Sequence, residues 1–382
     1  MGSDVTQRSK RAAASEDKDP EPQEFETLHE IVLRARQRLD QNSWDYILGG
    51  TETETTLRRN RMALDRLAFR PRVLRDVSRI DASAERFGRT LRLPLLLCPI
   101  GALESFNEEA GAAVVRAARA FGVAHMLSSV CEPGLEEVAA TAPEALRIFQ
   151  LSIRGDERFV DDHVERAIAH GYAAFCLTVD TAVYSRRERD LAKRYVTAGR
   201  RRVSGQSFQA AADWRIVERI KRRFDIPLVL KGIATVEDAK LAIEHGVEWI
   251  YVSNHGGRQL DHGRGSIDVL PEIVDAVAGR AKIMVDGSIN RGTDLVKAIA
   301  LGADMVGLGR MQCYALAAKG TEGIVRMLEI LEDEVQRCLG LLGVVRLGDL
   351  GRSHLAAAEP ANAPGALSAF PLLDIPPYRY HK

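Results

Sequence analysis

Short apolar runs recur along the chain, most of them followed by a stretch with helical spacing. They cover Leu93–Pro99, Ala124–Leu127, Arg147–Leu151, Ala173–Val179, Pro227–Lys231, Trp249–Ser253, Ile283–Asp286 and Met305–Gly309. Each has the length of a buried strand rather than a helix. Between them, apolar residues return every three or four positions. Val114, Val115, Ala118 and Phe121 do so in one segment, Val236, Ala239, Ala242 and Ile243 in another, and Leu295, Val296 and Ile299 in a third. Eight strand–helix units in succession predict an α/β chain folded as a (βα)8 TIM barrel. A doubly wound open sheet is the alternative for the same local pattern.

In a barrel of this kind, function sits at the carboxyl ends of the strands. Polar residues crowd those ends here: Ser128, Gln150, Thr178, Asp180, Lys231, Ser253, His255, Asp286, Ser288 and Arg310. The interval from Arg187 to Asp225 is too long for a simple connection. It predicts an extended loop after the fourth strand, with a basic cluster at Arg200–Arg202, serving as a lid before a helix over Trp214–Arg223. Residues 1–27 are polar and charged and read as a disordered tail. Residues 28–355 form the barrel domain, which opens with a helical segment that brings Trp44, Asp45 and Tyr46 near the mouth. Residues 356–382 are rich in Ala and Pro and read as an extended arm over the surface or against a neighbouring subunit.

Composition narrows the function. Basic and acidic residues balance at 53 each, which argues against a nucleic-acid binder. No apolar run approaches membrane-spanning length. Five cysteines are scattered without a Cys-x-x-Cys pair, as expected of core thiols in a reducing cytoplasm. Arg8, Lys10 and Arg11 faintly resemble a targeting segment, but the acidic run Glu16–Glu24 speaks against one.

The densest chemistry lies in Ser253-Asn254-His255-Gly256-Gly257-Arg258-Gln259-Leu260-Asp261. His255 offers a base near neutral pH. Arg258 offers a fork for a carboxylate. That pairing suits reaction at the carbon beside a carboxylate. Lys231, at a strand end, can form a Schiff base, bind phosphate or neutralise a cofactor's negative charge. Asp180 either orients His255 or caps a helix. Arg187 can join Arg258 in a clamp, and one of the adjacent pair Arg186 and Arg187 is only a solvated charge or ion-pair partner. Asp286, Gly287, Ser288, Ile289, Asn290 and Arg291 follow the seventh strand, and Gly309 and Arg310 the eighth, where phosphate sites of this fold commonly lie. No metal-binding spacing occurs, and no Gly-x-Ser-x-Gly elbow.

These motifs resemble the FMN-dependent L-2-hydroxy acid oxidase and dehydrogenase family over about residues 28–350. The Ser253–Asp261 run is the most specific match. Phe69–Arg72, Leu127–Ser129, Phe149–Leu151, Leu177–Thr181, Leu230–Gly232 and the paired glycine clusters support it. The resemblance implies that His255 is the base, held by Asp180. Arg258 and Arg187, helped by Tyr46, bind the substrate carboxylate. Lys231 stabilises negative charge on the flavin. Ser128, Gln150, Thr178, Ser253 and the Pro99-Ile100-Gly101 backbone hold the flavin ring, and Asp286–Arg291 with Gly309 and Arg310 hold ribityl and phosphate. It further implies a 2-oxo acid product, hydrogen peroxide if oxygen is the acceptor, and a homotetramer or homo-octamer.

The chain departs from the family pattern at four places. Ser152 stands where a Tyr is usual, and Tyr184 is a candidate to replace its hydroxyl. Gly101 stands for Ala, in Pro-Ile-Gly rather than Pro-Thr-Ala, so the lost methyl either makes room for oxygen or suits Ile100. Val130 replaces an aromatic residue. Asn290 replaces an Arg. Lost aromatic bulk predicts a substrate larger than glycolate. A dehydrogenase passing electrons to a quinone or carrier protein is the nearest alternative, although Asp190–Gln209 is polar where membrane-bound relatives are apolar. An FMN barrel of the type 2 isopentenyl diphosphate isomerase kind, or a flavoprotein kept only for binding, fits the carboxylate clamp less well.

Overall fold

The computed structural model describes residues 24–196 and 206–374. Eight parallel strands close into a barrel in chain order. They are β1 Leu95–Leu97, β2 Ala124–Ser128, β3 Arg147–Leu151, β4 Ala174–Thr178, β5 Leu228–Ile233, β6 Trp249–Val252, β7 Lys282–Val285 and β8 Met305–Leu308. Each lies within or against one of the apolar runs. Alternation along a strand splits the side chains into two sets. Leu96, Met126, Ile148, Cys176, Val229, Tyr251, Met284 and Met305 fill the barrel, while Leu95, Leu97, Leu127, Phe149 and Leu177 join the helix-covered layer outside. Fully burying side chains of this size is worth about 1.5–3 kcal/mol each.

A hairpin that sequence periodicity did not reveal lies beneath the barrel. Ala84–Arg86 pairs with Arg89–Leu91 across Phe87 and Gly88, both at positive φ as a tight hairpin turn needs. Phe87 stacks on Trp249 at 4.6 Å.

The N-terminal segment forms helices Leu28–Arg38, Gln41–Leu48 and Thr55–Asp65. Order begins before Leu28: Thr27 caps the first helix, and Phe25 is buried with its carbonyl accepting from Arg326 on the helical segment Arg310–Leu342. The expected tail is therefore too long by at least residues 24–27, and residues 1–23 lie outside the described part. The arm after 356 packs on its own chain where it is described. Leu355–Ala357 pairs with Leu67–Phe69, and Phe370 is fully buried edge-on to His29. After β4 come short helices Glu188–Ala192 and Gln206–Ala210, then Trp214–Arg223. The Arg200–Arg202 cluster of the expected lid is outside the described residues.

Candidate active site

The turn after β6 carries three consecutive left-handed residues, His255, Gly256 and Gly257, at φ of 59°, 67° and 75°. Such a backbone is costly for His and suits Gly. Gly257 is also required by space, since a Cβ there would lie 2.5 Å from Leu57 N. The turn is docked on the N-terminal segment. Asp261 accepts from Thr56 N at 2.9 Å and from Thr53 N at 2.9 Å, so it caps helix Thr55–Asp65 from outside. Asn254 and Asn60 exchange amide hydrogen bonds at 2.7 and 2.8 Å.

His255 Nδ1 lies 3.1 Å from Asp180 Oδ1. Asp180 is the partner of His255, not a helix cap. Gly232 permits this, because a Cβ on it would stand 2.6 Å from Asp180 Cβ. Burial and then the Lys231 charge pull the His255 pKa below the ordinary histidine value, although Asp180 pushes it up. The imidazole is thus a neutral base near pH 7. A carboxylate at Nδ1 fixes the proton there and leaves Nε2 as the acceptor. For Asp180, burial works against ionisation, but His255 and Lys231 outweigh it and lower the pKa.

Lys231 is buried, not a surface lysine. Its Nζ donates to Ser253 Oγ at 3.1 Å, and Ser253 Oγ donates to Asp286 Oδ1 at 2.7 Å. Burial opposes its charge, but Asp180 and Asp286 more than offset that and raise the pKa. The ammonium is kept. Ser253 stands behind Lys231 and is not among the residues that line the two chambers. Its hydroxyl accepts from Lys231 and from the His255 amide at 3.1 Å and donates to Asp286.

The two arginines converge. Arg258 Nη1 donates to the carbonyls of Tyr46 and Gly49, both at 2.7 Å, and its guanidinium lies 4.7 Å from the Tyr46 ring centre. Burial, then Arg187, lowers the Arg258 pKa to about 10. Arg187 lies 5.2 Å from the Tyr184 ring centre. Arg258 Nη2, Arg187 Nε and Thr178 Oγ1 are buried without a partner. Arg186, by contrast, is exposed beside Glu188.

Two adjoining chambers share Tyr46, Pro99, Gly101, Arg187, Lys231 and His255. The inner one adds Ile100 and Arg258 and runs to Asp286, Gly287, Ser288, Ile289, Asn290, Gly309 and Arg310. The outer one adds Ser128, Gln150, Ser152, Thr178 and Tyr184. A long trough with hydrogen-bonding groups along one stretch and a glycine-rich, cationic end fits FMN. The unpartnered Thr178 hydroxyl is the specific sign of that fit.

Arg291 is the exception among the expected phosphate residues. It turns outward to an ion pair with Glu334 and does not line the trough. The cause is Asp294, which accepts from the Asn290 and Arg291 amides at 3.0 and 3.1 Å and is itself gripped by Arg61 at 2.8 and 2.9 Å. This fixes which of the two neighbours faces inward. Asn290 does, and Arg310 is the arginine left at that end.

The sequence reading also missed Cys98, Phe106, Cys313, Arg154, Gln209 and Gln259 as lining residues. For Arg154 a signal existed: it continues the alternation Gln150, Ser152.

Comparison with known proteins places the chain among flavoproteins. The family model described as FMN-dependent dehydrogenase matches residues 35–204 and 193–357. Glycolate oxidase of Spinacia oleracea is 36% identical over 356 residues, covering 87% of this chain and 96% of that protein. L-lactate oxidase of Nostoc sp. is 38% identical, covering 86% and 97%. A solved structure of mandelate oxidase with (S)-2-phenylpropionate is 38% identical with a TM-score of 0.81, covering 88% of this chain and 100% of that one.

Proposed function

Because the chain belongs to the family of FMN-dependent dehydrogenases, we propose that it oxidises an L-2-hydroxy acid to the 2-oxo acid, with oxygen as the final acceptor and hydrogen peroxide as the second product. The observation that carries this reading is the His255–Asp180 pair facing Arg187 across one cavity, with Arg258 beside it.

FMN would be held by Ser128, Gln150, Thr178 and Lys231 at the ring and by Asp286–Asn290, Gly309 and Arg310 at the ribityl and phosphate. When bound, it supplies the two-electron acceptor that the protein's own side chains lack. Arg258 Nη2 and Arg187 Nε, both unpartnered, bind the substrate carboxylate, and Tyr46 closes that end. This fixes the hydroxyl-bearing carbon near His255. His255 Nε2 takes the substrate's proton, and Asp180 stabilises the imidazolium so formed. Lys231 holds a permanent positive charge where negative charge develops. Ser152 and Val130 leave space beside this centre, which supports a substrate larger than glycolate. Five free, buried cysteines support a reducing, cytoplasmic setting.

Anaerobic mixing with a panel of L-2-hydroxy acids, from glycolate to long aliphatic and aromatic members, tests the reading. Bleaching of the visible flavin band by one class is expected, with peroxide formed on admitting air. Bleaching without recovery in air would assign a dehydrogenase with another acceptor. No bleaching by any member would overturn the reading.

A further inference from the structure

The outer chamber contains a cation that the chemistry above does not use. Gln150, Ser152 and Arg154 face it in alternation, while Leu151 and Ile153 between them are buried in the surrounding core. Arg154 therefore stands two residues outward from Ser152 along one wall. Arg154 lines only the outer chamber and Arg258 only the inner one, with His255 common to both. A substrate whose carboxylate lies on Arg258 and Arg187 has its reacting carbon at His255. Its side chain then runs outward past Ser152 toward Arg154.

That chamber mixes apolar groups, Val130 and Val183 among them, with polar ones. Besides Ser152 and Arg154 it carries Thr181, Gln209 and Gln259, and none of its described lining residues is acidic. Ser152 Oγ accepts from Gln150 Nε2 at 3.2 Å, so the serine is held as part of the wall. A carboxylate would form charge-assisted hydrogen bonds with the guanidinium.

We infer that Arg154 selects 2-hydroxy acids bearing a second anionic group at the far end of the side chain, a 2-hydroxy dicarboxylic acid being the simplest case. The inference rests on the hydroxy acid reading for its reaction, but not for its binding.

The test compares L-2-hydroxy dicarboxylates of increasing length with methyl-ended monocarboxylates of matched length, on the holoenzyme and on Arg154→Met and Arg154→Lys. One dicarboxylate should exceed its matched partner in kcat/KM by about 10- to 100-fold, chiefly through KM. Arg154→Met should bring that ratio close to one, and Arg154→Lys should keep part of it. Calorimetric binding of the corresponding 2-oxo acids supplies a second readout and should show the same preference in the parent and its loss in Arg154→Met. A parent without preference, or a ratio unchanged in Arg154→Met, overturns the inference. If no hydroxy acid is oxidised, the oxidase reading fails alone, and the calorimetric ratio still decides the role of Arg154.

Discussion

Gly101 and Val130 share one space: a Cβ on Gly101 would stand 2.7 Å from Val130 Cγ2. The methyl absent at position 101 therefore opens no room for oxygen, because Val130 already fills it. Gly101→Ala should destabilise the holoenzyme by about 1–3 kcal/mol. Gly101→Ala in a Val130→Ala background should cost much less. Thermal or denaturant unfolding of the four proteins measures the coupling; strict additivity would show that the two positions are independent.

His255 sets the acid limb of the pH profile. A base works when unprotonated, so kcat/KM falls as pH drops through its pKa. Burial and Lys231 put that pKa below 6.5, and the limb should lie below 6.5. Asp180 is the group that raises it. Asp180→Asn should move the limb to still lower pH and reduce the plateau by about 100-fold or more. A limb that stays in place would remove Asp180 from its pairing.

Anionic ligands should stabilise the protein through the arginine pair. Arg187 and burial both oppose the charge of Arg258, and a bound carboxylate relieves that cost. A 2-oxo acid at 100 times its Kd should add about 2.7 kcal/mol, read as a rise in Tm. The gain should fall sharply in Arg258→Met. An equal gain in that variant would place the carboxylate elsewhere.

Arg61 and Asp294 form a buried ion pair that supports the turn after β7. Removing one partner, as in Arg61→Met or Asp294→Ala, should cost about 3–5 kcal/mol. For Asp294, burial opposes ionisation, but Arg61 outweighs it and the folded pKa is lowered. Its contribution is therefore present above the ordinary aspartate value and lost as pH falls through the folded one. In Asp294→Ala, FMN affinity should also drop, because Asn290 loses the acceptor for its amide. Unchanged FMN retention on dialysis would separate the ion pair from the trough.

Much of this arrangement was legible in the residues. Short apolar runs located every barrel strand, and of the residues at their ends Lys231 and His255 line one cavity, with Asp180 bonded to His255. Three things were hidden. Asn290 and Arg291 are neighbours, so which one faces inward depends on Glu334 and Asp294, one of them distant in sequence. Ser253 has a strand-end position like Lys231, yet its small side chain is used behind the lysine. Phe25 sits among Pro, Gln and Glu, whose composition suggests no packing, and Phe370 lies in a short apolar stretch with no helix or strand period. Their burial follows from partners on other elements.

The cap on helix Thr55–Asp65 has a temporal side. Its donors at Thr53 and Thr56 precede their acceptor, Asp261, by 208 and 205 residues. During synthesis this helix leaves the ribosome long before its stop for free amides exists. The segment made early is thus fastened late, once β6 and its turn have emerged. Assembly of the active-site wall is thereby tied to the emergence of β6 and the turn that follows it.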